Sequence, residues 1–286
     1  MKSRRRLQPW LALVFATVLA QVAHAQDEQV TRMRAALAAP ARPAESKARD
    51  AARKLIETVQ FFGIKTGQTA IDMVAVGGWF TEVLSAAVGP TGKVYAQNPP
   101  FLVNADAEKA LHDRLGNVQA VHVQLAEAIP AGSVDAAVTA MNLHDIYNGY
   151  AGQAGGEQPA VDFLKAIYGA LKPGGVLGVI DHVGVAGKDN AMLHRMLPQQ
   201  ARDALTKAGF TIEAESQLLA NPADDHSKGV FDPSIMGHTD QFMFRARKPR
   251  SQAALERELE RELHVRHRVE PVVAATDVLL GGVAGE

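Results

Sequence analysis

Three residue pairs in the second half of the sequence combine a histidine with a charged neighbour: His144-Asp145, Asp181-His182 and His194-Arg195. Near neutral pH, a histidine can take a proton from a hydroxyl or an amine, and a nearby carboxylate can orient its ring. The pairs predict a catalytic set of His144, Asp145, His182 and His194, with His144 or His182 as the general base. Each histidine taken singly is equally well explained by a structural hydrogen bond.

Histidines and carboxylates can instead bind a metal ion such as Zn²⁺ or Fe²⁺. The sequence lacks the His-x-x-x-His spacing that places two histidine ligands on one face of a helix. We therefore predict no metal site and keep a metal centre as the alternative. The sequence has no cysteine, which excludes thiol catalysis and thiolate ligands, and its net charge of −1 does not indicate a nucleic-acid-binding surface.

The segments that must position these pairs alternate between two patterns. Short runs rich in Val, Ala and Ile predict strands that are covered on both faces, at residues 69–76, 92–97, 120–125, 134–141, 175–183, 209–219 and 241–247. Helical patterns lie at residues 46–62, 79–88, 106–115, 160–171 and 192–208. Alternating strands and helices predict an α/β fold with a doubly wound, parallel sheet. The carboxyl ends of such strands line one crevice, where we expect the three pairs to meet.

The turn after the first predicted strand has a composition suited to ligand binding. The sequence reads TAIDMVAVGGWF, so Asp72 lies inside the strand while Gly77 and Gly78 open the following helix. Glycine at such a turn permits a positive φ and lets the backbone approach a ligand closely. A Gly-Gly pair alone is also common in ordinary strand-to-helix loops.

Together with SVDAAVTAMNLHDIY and ALKPGGVLGVIDH, this turn resembles the Rossmann-fold (class I) S-adenosylmethionine-dependent methyltransferases, and in particular a bacterial group of predicted, often exported methyltransferases. The resemblance covers residues 45–249 and implies a seven-stranded, mostly parallel sheet whose last strand is antiparallel. It implies S-adenosylmethionine as the cofactor. The cofactor-binding residues that it implies are Asp72, Gly77, Gly78, Asn98, Glu127 and Asn142.

The sequence departs from the family's motif at the turn. In the form Asp-x-Gly-x-Gly-x-Gly, it keeps Asp72 and Gly78 but has Val74 and Val76 at the other two glycine positions. A β-branched residue resists a positive φ and adds bulk where the cofactor should lie. Asn98 replaces the acidic residue that binds the ribose, and an amide lacks the charge assistance of a carboxylate. We therefore predict that the turn binds S-adenosylmethionine less tightly than an intact motif would.

The two ends of the sequence carry different signals. Residues 1–25 combine a basic start, an apolar run and the small residues Ala23 and Ala25, a pattern typical of a secretory signal peptide cleaved after Ala25. This pattern predicts a periplasmic or secreted protein, with a retained membrane anchor as the alternative. We expect a flexible lead-in over residues 26–44 and, over residues 250–286, a charged tail that is helical or disordered.

A long segment at residues 221–240 separates the last two predicted strands and should hang over the crevice. Loops of this length in a compact domain are usually functional or disordered. One interpretation is an ordered lid that contributes His226, Lys228, Asp232 and His238 to substrate binding. The other interpretation is a surface loop whose charges are solvated.

These features predict an enzyme that transfers a methyl group from S-adenosylmethionine to an unidentified small acceptor in the periplasm. One alternative is a non-catalytic protein that binds a small molecule on the same fold. Another is a metal-dependent hydrolase that uses the histidine crevice. The fold alone does not choose among these functions, because one fold can host many reactions.

Overall fold

A seven-stranded sheet forms the centre of the molecule. The computed structural model describes residues 9–150 and 152–250. Within these residues the strands are β1 (Thr69–Met73), β2 (Lys93–Gln97), β3 (Val118–Val121), β4 (Val134–Ala140), β5 (Leu171–His182), β6 (Thr211–Ser216) and β7 (Gln241–Arg247). Their order across the sheet is β3-β2-β1-β4-β5-β7-β6.

The strand directions match a doubly wound sheet. Strands β1 to β5 pair in parallel, whereas β7 runs antiparallel to both β5 and β6. The winding of the chain reverses between β1 and β4, which opens a crevice at their carboxyl ends. The predicted α/β fold class, with seven mostly parallel strands and an antiparallel last strand, is therefore confirmed.

Helices cover both faces of the sheet. They are α1 (Pro9–Ala38), α2 (Ala44–Arg53), α3 (Leu55–Phe62), α4 (Trp79–Val88), α5 (Ala105–Arg114), α6 (Leu125–Ala128), α7 (Leu143–Asn148), α8 (Glu157–Ala170) and α9 (Pro198–Lys207), with a 3₁₀ helix at Pro100–Leu102. Successive residues of β4 face opposite layers: Val138 packs in one core cluster with Val83 of α4, and Ala137 in another with Leu164 of α8. This alternation explains why the strand sequences are apolar throughout.

The segment over residues 26–44 differs from the predicted flexible lead-in. Helix α1 covers most of it, and the Met33 side chain is buried. Gln29 Nε2 donates hydrogen bonds to the backbone oxygens of Ile64 and Ala87, at 3.0 and 2.9 Å. The segment is ordered because these contacts tie it to the ends of α3 and α4.

Helix α9 also begins later than the sequence pattern predicts. It starts at Pro198, a residue that suits the first turn of a helix because it has no amide hydrogen. His194 and Arg195 therefore lie in the preceding loop instead of opening the helix. Met196 forms a parallel bridge with Val183, which ties this loop to the end of β5.

Among residues 9–150 and 152–250, no helix combines the length and the apolar character needed to cross a bilayer. The first eight residues of the predicted signal peptide lie outside the described part of the chain, and the rest of that segment belongs to α1. The predicted C-terminal tail likewise lies outside it, apart from Arg250.

Candidate active site

A cavity of about 920 Å³ opens at the carboxyl edge of the sheet. Val76 from the turn after β1, Gln97 at the end of β2, and Asn142 and Asp145 after β4 line one side of it. Its size is that of a site for a drug-sized or nucleotide-sized ligand. The cavity lies where a doubly wound sheet is expected to bind its ligand.

Apolar side chains form another part of the cavity lining. Phe101, Ile146, Tyr150 and Phe163 belong to this part. The rings of Phe101 and Tyr150 lie 6.3 Å apart, and both side chains are exposed. Exposed aromatic rings that line a cavity favour a ligand with an apolar or planar part.

The turn after β1 keeps a glycine-like backbone although valines replace two of the motif's glycines. Val74 and Val76 have φ angles of 56° and 49°, in the left-handed region that β-branched residues rarely adopt. Gly77 lies outside that region, so it does not take over the conformation of a missing glycine. Gly78 has a φ of 74°, and a Cβ atom there would lie 1.9 Å from Leu111 Cδ1. The positive φ therefore favours glycine at position 78, and any larger residue there would require Leu111 to move.

Strand β2 and the residue after it hold this strained backbone in place. The backbone oxygen of Gln97 accepts the Ala75 amide at 2.9 Å, and Asn98 Oδ1 accepts the Val76 amide at 2.7 Å. Asn98 is only 1% exposed, and its Nδ2 donates to Glu108 Oε1 at 3.1 Å. The side chain that the resemblance assigns to the ribose is thus used by the turn, and Gln97 lines the cavity instead.

The other residues predicted to bind the cofactor fall into two groups. Glu127 and Asn142 line the cavity, and Asn142 Nδ2 donates to the backbone oxygen of Met73 at 3.1 Å. Asp72 is buried below the turn, where its Oδ2 accepts the Thr81 hydroxyl at 2.6 Å. Burial raises the pKa of Asp72 to about 7. Asp72 therefore supports the turn from inside the core.

The three histidine-containing pairs meet at the carboxyl ends of β4 and β5, as predicted from their order in the chain. His144 Nδ1 lies 2.6 Å from Asp181 Oδ1, and the His144 backbone amide donates to Asp181 Oδ2 at 2.9 Å. On the other side, Asp145 Oδ1 lies 3.2 Å from His144 Nε2 and 2.9 Å from His194 Nδ1. The ring of His182 lies 5.5 Å from that of His144.

Burial divides this histidine cluster, defined as His144, Asp145, Asp181, His182 and His194, into two parts. His144, Asp181 and His182 are buried. The side chains of Asp145 and His194 are 29% and 32% exposed, and Asp145 lines the cavity. Within the cluster, Asp145 and His194 are therefore the residues that a ligand can reach.

The electrostatics of the two buried histidines differ. Burial opposes protonation of His144, but the charges of Asp181 and Asp145 outweigh it and raise the His144 pKa to about 10. Burial lowers the pKa of His182 to about 3, and its Nδ1 lies 2.7 Å from Thr239 Oγ1. That His144 or His182 is the general base stays a prediction, and both rings are buried whereas the ring of His194 is partly exposed.

The long loop over residues 221–240 is anchored by buried polar contacts. The fully buried Arg195 donates from Nη2 to both carboxylate oxygens of Asp224, at 3.1 and 2.9 Å. At the far end of the loop, His226 Nε2 lies 2.9 Å from Asp240 Oδ2. These contacts favour the interpretation of an ordered lid.

One apolar residue of the loop reaches the histidine cluster. The Phe231 ring packs edge-on against His194, with 5.0 Å between the ring centroids. Two of the predicted substrate residues make contacts within the loop itself. Lys228 Nζ donates a hydrogen bond to Ser234 Oγ at 2.7 Å, and Asp232 Oδ1 accepts one from the backbone amide of Ser234. Phe231 and Thr239 therefore both connect the loop to the histidine cluster, the first at His194 and the second at His182.

Sequence reasoning missed three contributors to this site. Gln97 could have been found from the sequence. Successive residues at the end of β2 point to opposite sides, so when Asn98 faces the turn, its neighbour Gln97 is the one that can face a ligand. No sequence signal indicates the pairing of Arg195 with Asp224, which are far apart in the chain and both look like surface residues. Phe231 carried a weak signal as the one aromatic residue of the long polar loop.

Comparison with protein-family models finds no match to this chain. The sequence is similar to a ubiquinone/menaquinone biosynthesis C-methyltransferase from Ectopseudomonas mendocina (strain ymp), with 25% identity over 196 residues. The alignment covers 66% of this chain and 66% of that protein, so the chain spans just under two thirds of the relative's length.

Solved structures share the fold at low sequence identity. A SAM-dependent methyltransferase from Aquifex aeolicus matches with a TM-score of 0.50 and 21% identity, over 68% of this chain and 89% of that one. The [4+2]-cyclase SpnF matches with a TM-score of 0.51 and 21% identity, over 70% and 82% of the two chains. A putative sarcosine dimethylglycine methyltransferase from Galdieria sulphuraria matches with a TM-score of 0.50 and 13% identity, over 70% and 85%. The similarity in sequence and in fold confirms the resemblance to the S-adenosylmethionine-dependent methyltransferases.

Proposed function

We propose that this chain, which has the Rossmann-like fold of the S-adenosylmethionine-dependent methyltransferases, transfers a methyl group from S-adenosylmethionine to a small acceptor. The observation that carries the proposal is that one cavity joins the turn after β1 to the histidine cluster. Val76 and Asp145 line the same cavity, so a cofactor on the turn and an acceptor beside Asp145 would be neighbours. Methyl transfer by direct displacement depends chiefly on such proximity and alignment.

The residues around the turn fit the polar groups of the cofactor. Helix α4 begins at Trp79, directly after the turn, and the positive end of its dipole favours a carboxylate. Gln97 and Glu127, which also line the cavity, offer an amide and a carboxylate to hydroxyl or amino groups. When bound, the cofactor supplies a methyl group on a positively charged sulfur. The exposed Val76 side chain narrows the approach and is the reason to expect modest affinity.

On the acceptor side, His194 is placed to take the proton that a hydroxyl or amine must lose. When Asp145 accepts the Nδ1–H of His194, the ring's Nε2 keeps its lone pair for the acceptor. Phe231 covers the edge of the ring and reduces its contact with water. His144 and Asp181 act as positioning residues, since they reach the acceptor side only through Asp145.

The lining of the cavity favours an acceptor with a planar, apolar ring. The relative from Ectopseudomonas mendocina is named for a role in ubiquinone and menaquinone biosynthesis. Phe101 and Tyr150 offer aromatic surface in the cavity. Small hydroquinones and phenols are therefore the first compounds to test as acceptors.

Calorimetric titration of the chain with S-adenosylhomocysteine tests the cofactor half of the proposal. We expect binding at millimolar ligand or below, and weaker binding for Glu127→Gln. The control is Glu215→Gln, the same change at a residue of β6 that forms an ion pair with Arg202 of α9. This variant should bind S-adenosylhomocysteine as the wild type does. Absence of binding by the wild type at millimolar ligand would contradict the proposal.

Formation of S-adenosylhomocysteine from S-adenosylmethionine tests the catalytic half, with hydroquinones, phenols and amines as acceptors. We expect His194→Ala to lose about 10²–10⁴-fold in rate, the contribution of a general base. His238→Ala, in the exposed part of the loop, is the control and should retain full activity. A chain that binds the cofactor product but turns over no acceptor would instead be the non-catalytic binding protein.

We also propose that the chain is exported and cleaved after Ala25. The basic start, the apolar run and the small residues at the cleavage position support this proposal. Residues 23–28, around the proposed cleavage position, are exposed, and the buried Gln29 and Met33 lie after it. Amino-terminal sequencing of the protein from a periplasmic fraction tests it, and an intact Met1 would contradict it.

A further inference from the structure

His144, Asp145 and His194 each offer one potential ligand atom, and these atoms all lie within 4.8 Å of one another. We propose that the three residues bind one divalent transition-metal ion, of the class of Fe²⁺, Mn²⁺ or Zn²⁺, in the wall of the cavity. Two imidazole nitrogens with one carboxylate form a donor set that suits these ions. No metal-ligand spacing is visible in the sequence, because His194 lies in the loop before α9 whereas His144 and Asp145 lie in α7.

The distances around Asp145 fit a shared ion. Bonds from such ions to nitrogen and oxygen are about 2.0–2.2 Å long, so two ligand atoms in adjacent positions lie roughly 2.9–3.5 Å apart. Asp145 Oδ1 lies 3.2 Å from His144 Nε2 and 2.9 Å from His194 Nδ1. The two nitrogens approach the carboxylate from different sides, with their rings at an interplanar angle of 84°.

The buried His144 supplies an independent indication. It is 2% exposed, and its Nε2 has no hydrogen-bond partner among the residues that the structure describes. The charged group next to it is Asp145, whose Oδ1 lies 3.2 Å away, within ion-pair distance. A buried polar atom without a partner costs about 1–3 kcal/mol, so such an atom is rarely kept without a ligand or another role.

The opposite side of the same ring is arranged as it is in metal sites. His144 Nδ1 lies 2.6 Å from Asp181 Oδ1. Asp181 is itself fixed by the backbone amides of His144 and His182, at 2.9 and 2.7 Å. An ion that binds there displaces the proton from Nε2 of His144, while the carboxylate behind the ring keeps the proton on the far nitrogen.

The loop that carries the third ligand is held in a costly conformation. His194 has a φ of 52°, and backbone strain of this kind persists mainly at functional sites, where the surroundings enforce it. The next residue, Arg195, is fully buried and bound to Asp224, and its amide donates to the backbone oxygen of Asn190 at 2.9 Å. These contacts fix the His194 ring beside Asp145.

A bound ion would face the cavity, because Asp145 lines it. Coordination by three protein residues leaves positions on the ion free for an oxygen atom of a small molecule in the cavity. An ion there would lower the pKa of an acceptor hydroxyl and replace His194 as the activating group. This consequence rests on the proposed methyl transfer, whereas the metal site itself does not.

Metal binding can be measured on the full chain without cofactor or acceptor. The protein is purified without a histidine tag, its metal content is determined by mass spectrometry, and the stripped protein is titrated calorimetrically with Mn²⁺, Zn²⁺ and, without oxygen, Fe²⁺. We expect one ion per chain and at least a ~100-fold loss of affinity for His194→Ala and Asp145→Asn. His238→Ala, at an exposed position of the loop, is the matched control and should leave the affinity unchanged.

Two further measurements keep the test decisive where a variant misfolds. Asp181→Asn leaves all three ligands in place and should weaken binding by about 10–100-fold, the usual effect of a group behind a ligand. The visible absorption of bound Co²⁺ should change in His194→Ala and stay the same in His238→Ala. A stripped wild-type chain that binds no ion, or equal binding by His194→Ala and the control, would overturn the site. The S-adenosylhomocysteine titration is separate, so either proposal can fail alone.

Discussion

Position 76 allows the strain in the turn to be measured directly. Val76 has a φ of 49°, in a region that costs a residue other than glycine about 1–2 kcal/mol. Glycine avoids that cost, but its greater freedom in the unfolded chain destabilises it by about 0.4–1 kcal/mol relative to alanine. Val76→Gly and Val76→Ala both remove the two γ-methyl groups, so their difference isolates the backbone. We expect Val76→Gly to be more stable than Val76→Ala by about 0.5–1 kcal/mol, from the difference of these terms.

Urea denaturation followed by circular dichroism gives the two free energies of unfolding. A difference of 1 kcal/mol also corresponds to about 2–4 °C in Tm for a chain of this size. The control is the neighbouring position, because Gly77 lies outside the left-handed region and a Cβ atom there meets no atom within 4 Å. Gly77→Ala should therefore be neutral or stabilising, the opposite sign from position 76. If Val76→Ala is as stable as Val76→Gly, residue 76 is not left-handed and the account of the turn is wrong.

The same variants report on the cofactor. Removal of the γ-methyl groups of Val76 widens the approach to the turn, and we expect S-adenosylhomocysteine to bind about fivefold more tightly, or about 1 kcal/mol. Equal gains for Val76→Gly and Val76→Ala would assign the effect to crowding. A larger gain for Val76→Gly would assign it to backbone freedom. If neither variant changes the affinity for S-adenosylhomocysteine, the turn does not contact the cofactor.

Two other predictions concern buried polar groups. Burial raises the pKa of Asp72 to about 7 from a normal value of 3.8, so its contribution to stability is full below pH 3.8 and is lost as the pH rises through 7. As the pH rises from 5 to 8, the free energy of unfolding of Asp72→Asn should therefore increase by about 3 kcal/mol relative to that of the wild type. Urea titrations at several pH values measure both free energies. A difference between the two proteins that does not change with pH would contradict the raised pKa. Asn98→Asp should destabilise the fold and should not tighten cofactor binding, because it places a second carboxylate next to Glu108 Oε1. Tighter binding of S-adenosylhomocysteine in a calorimetric titration would refute this prediction.

The fold was predictable because its signal is repeated along the chain. Strands β1, β2, β4 and β5 are buried over most of their length, so each one appears in the sequence as a short, largely apolar run. The start of the chain and the loop before α9 were not predictable in this way. Their structure depends on single polar contacts to distant carbonyl groups, such as those of Gln29, and a periodic pattern contains no information about such contacts.

The site was predictable as a location but not as an arrangement. Residues that follow parallel strands must gather at one edge, which was enough to bring His144, Asp181 and His194 together. Which ring nitrogen faces which carboxylate depends on side-chain rotamers and on burial. The sequence therefore could not show that Asp145 joins His144 to His194, or that His144 is buried with a free nitrogen.

The valine at position 76 and the asparagine at position 98 are best understood as one coupled departure from the family motif. A valine at position 76 keeps a left-handed backbone only if its surroundings enforce that conformation. The Asn98 side chain does so by accepting the Val76 amide and donating to Glu108. An aspartate at position 98 could accept the same amide but could not donate to a carboxylate. The replacement of the ribose-binding acid by Asn98 thus stabilises the turn that the loss of glycine strained, and it leaves Gln97 as the β2 residue that faces the ligand.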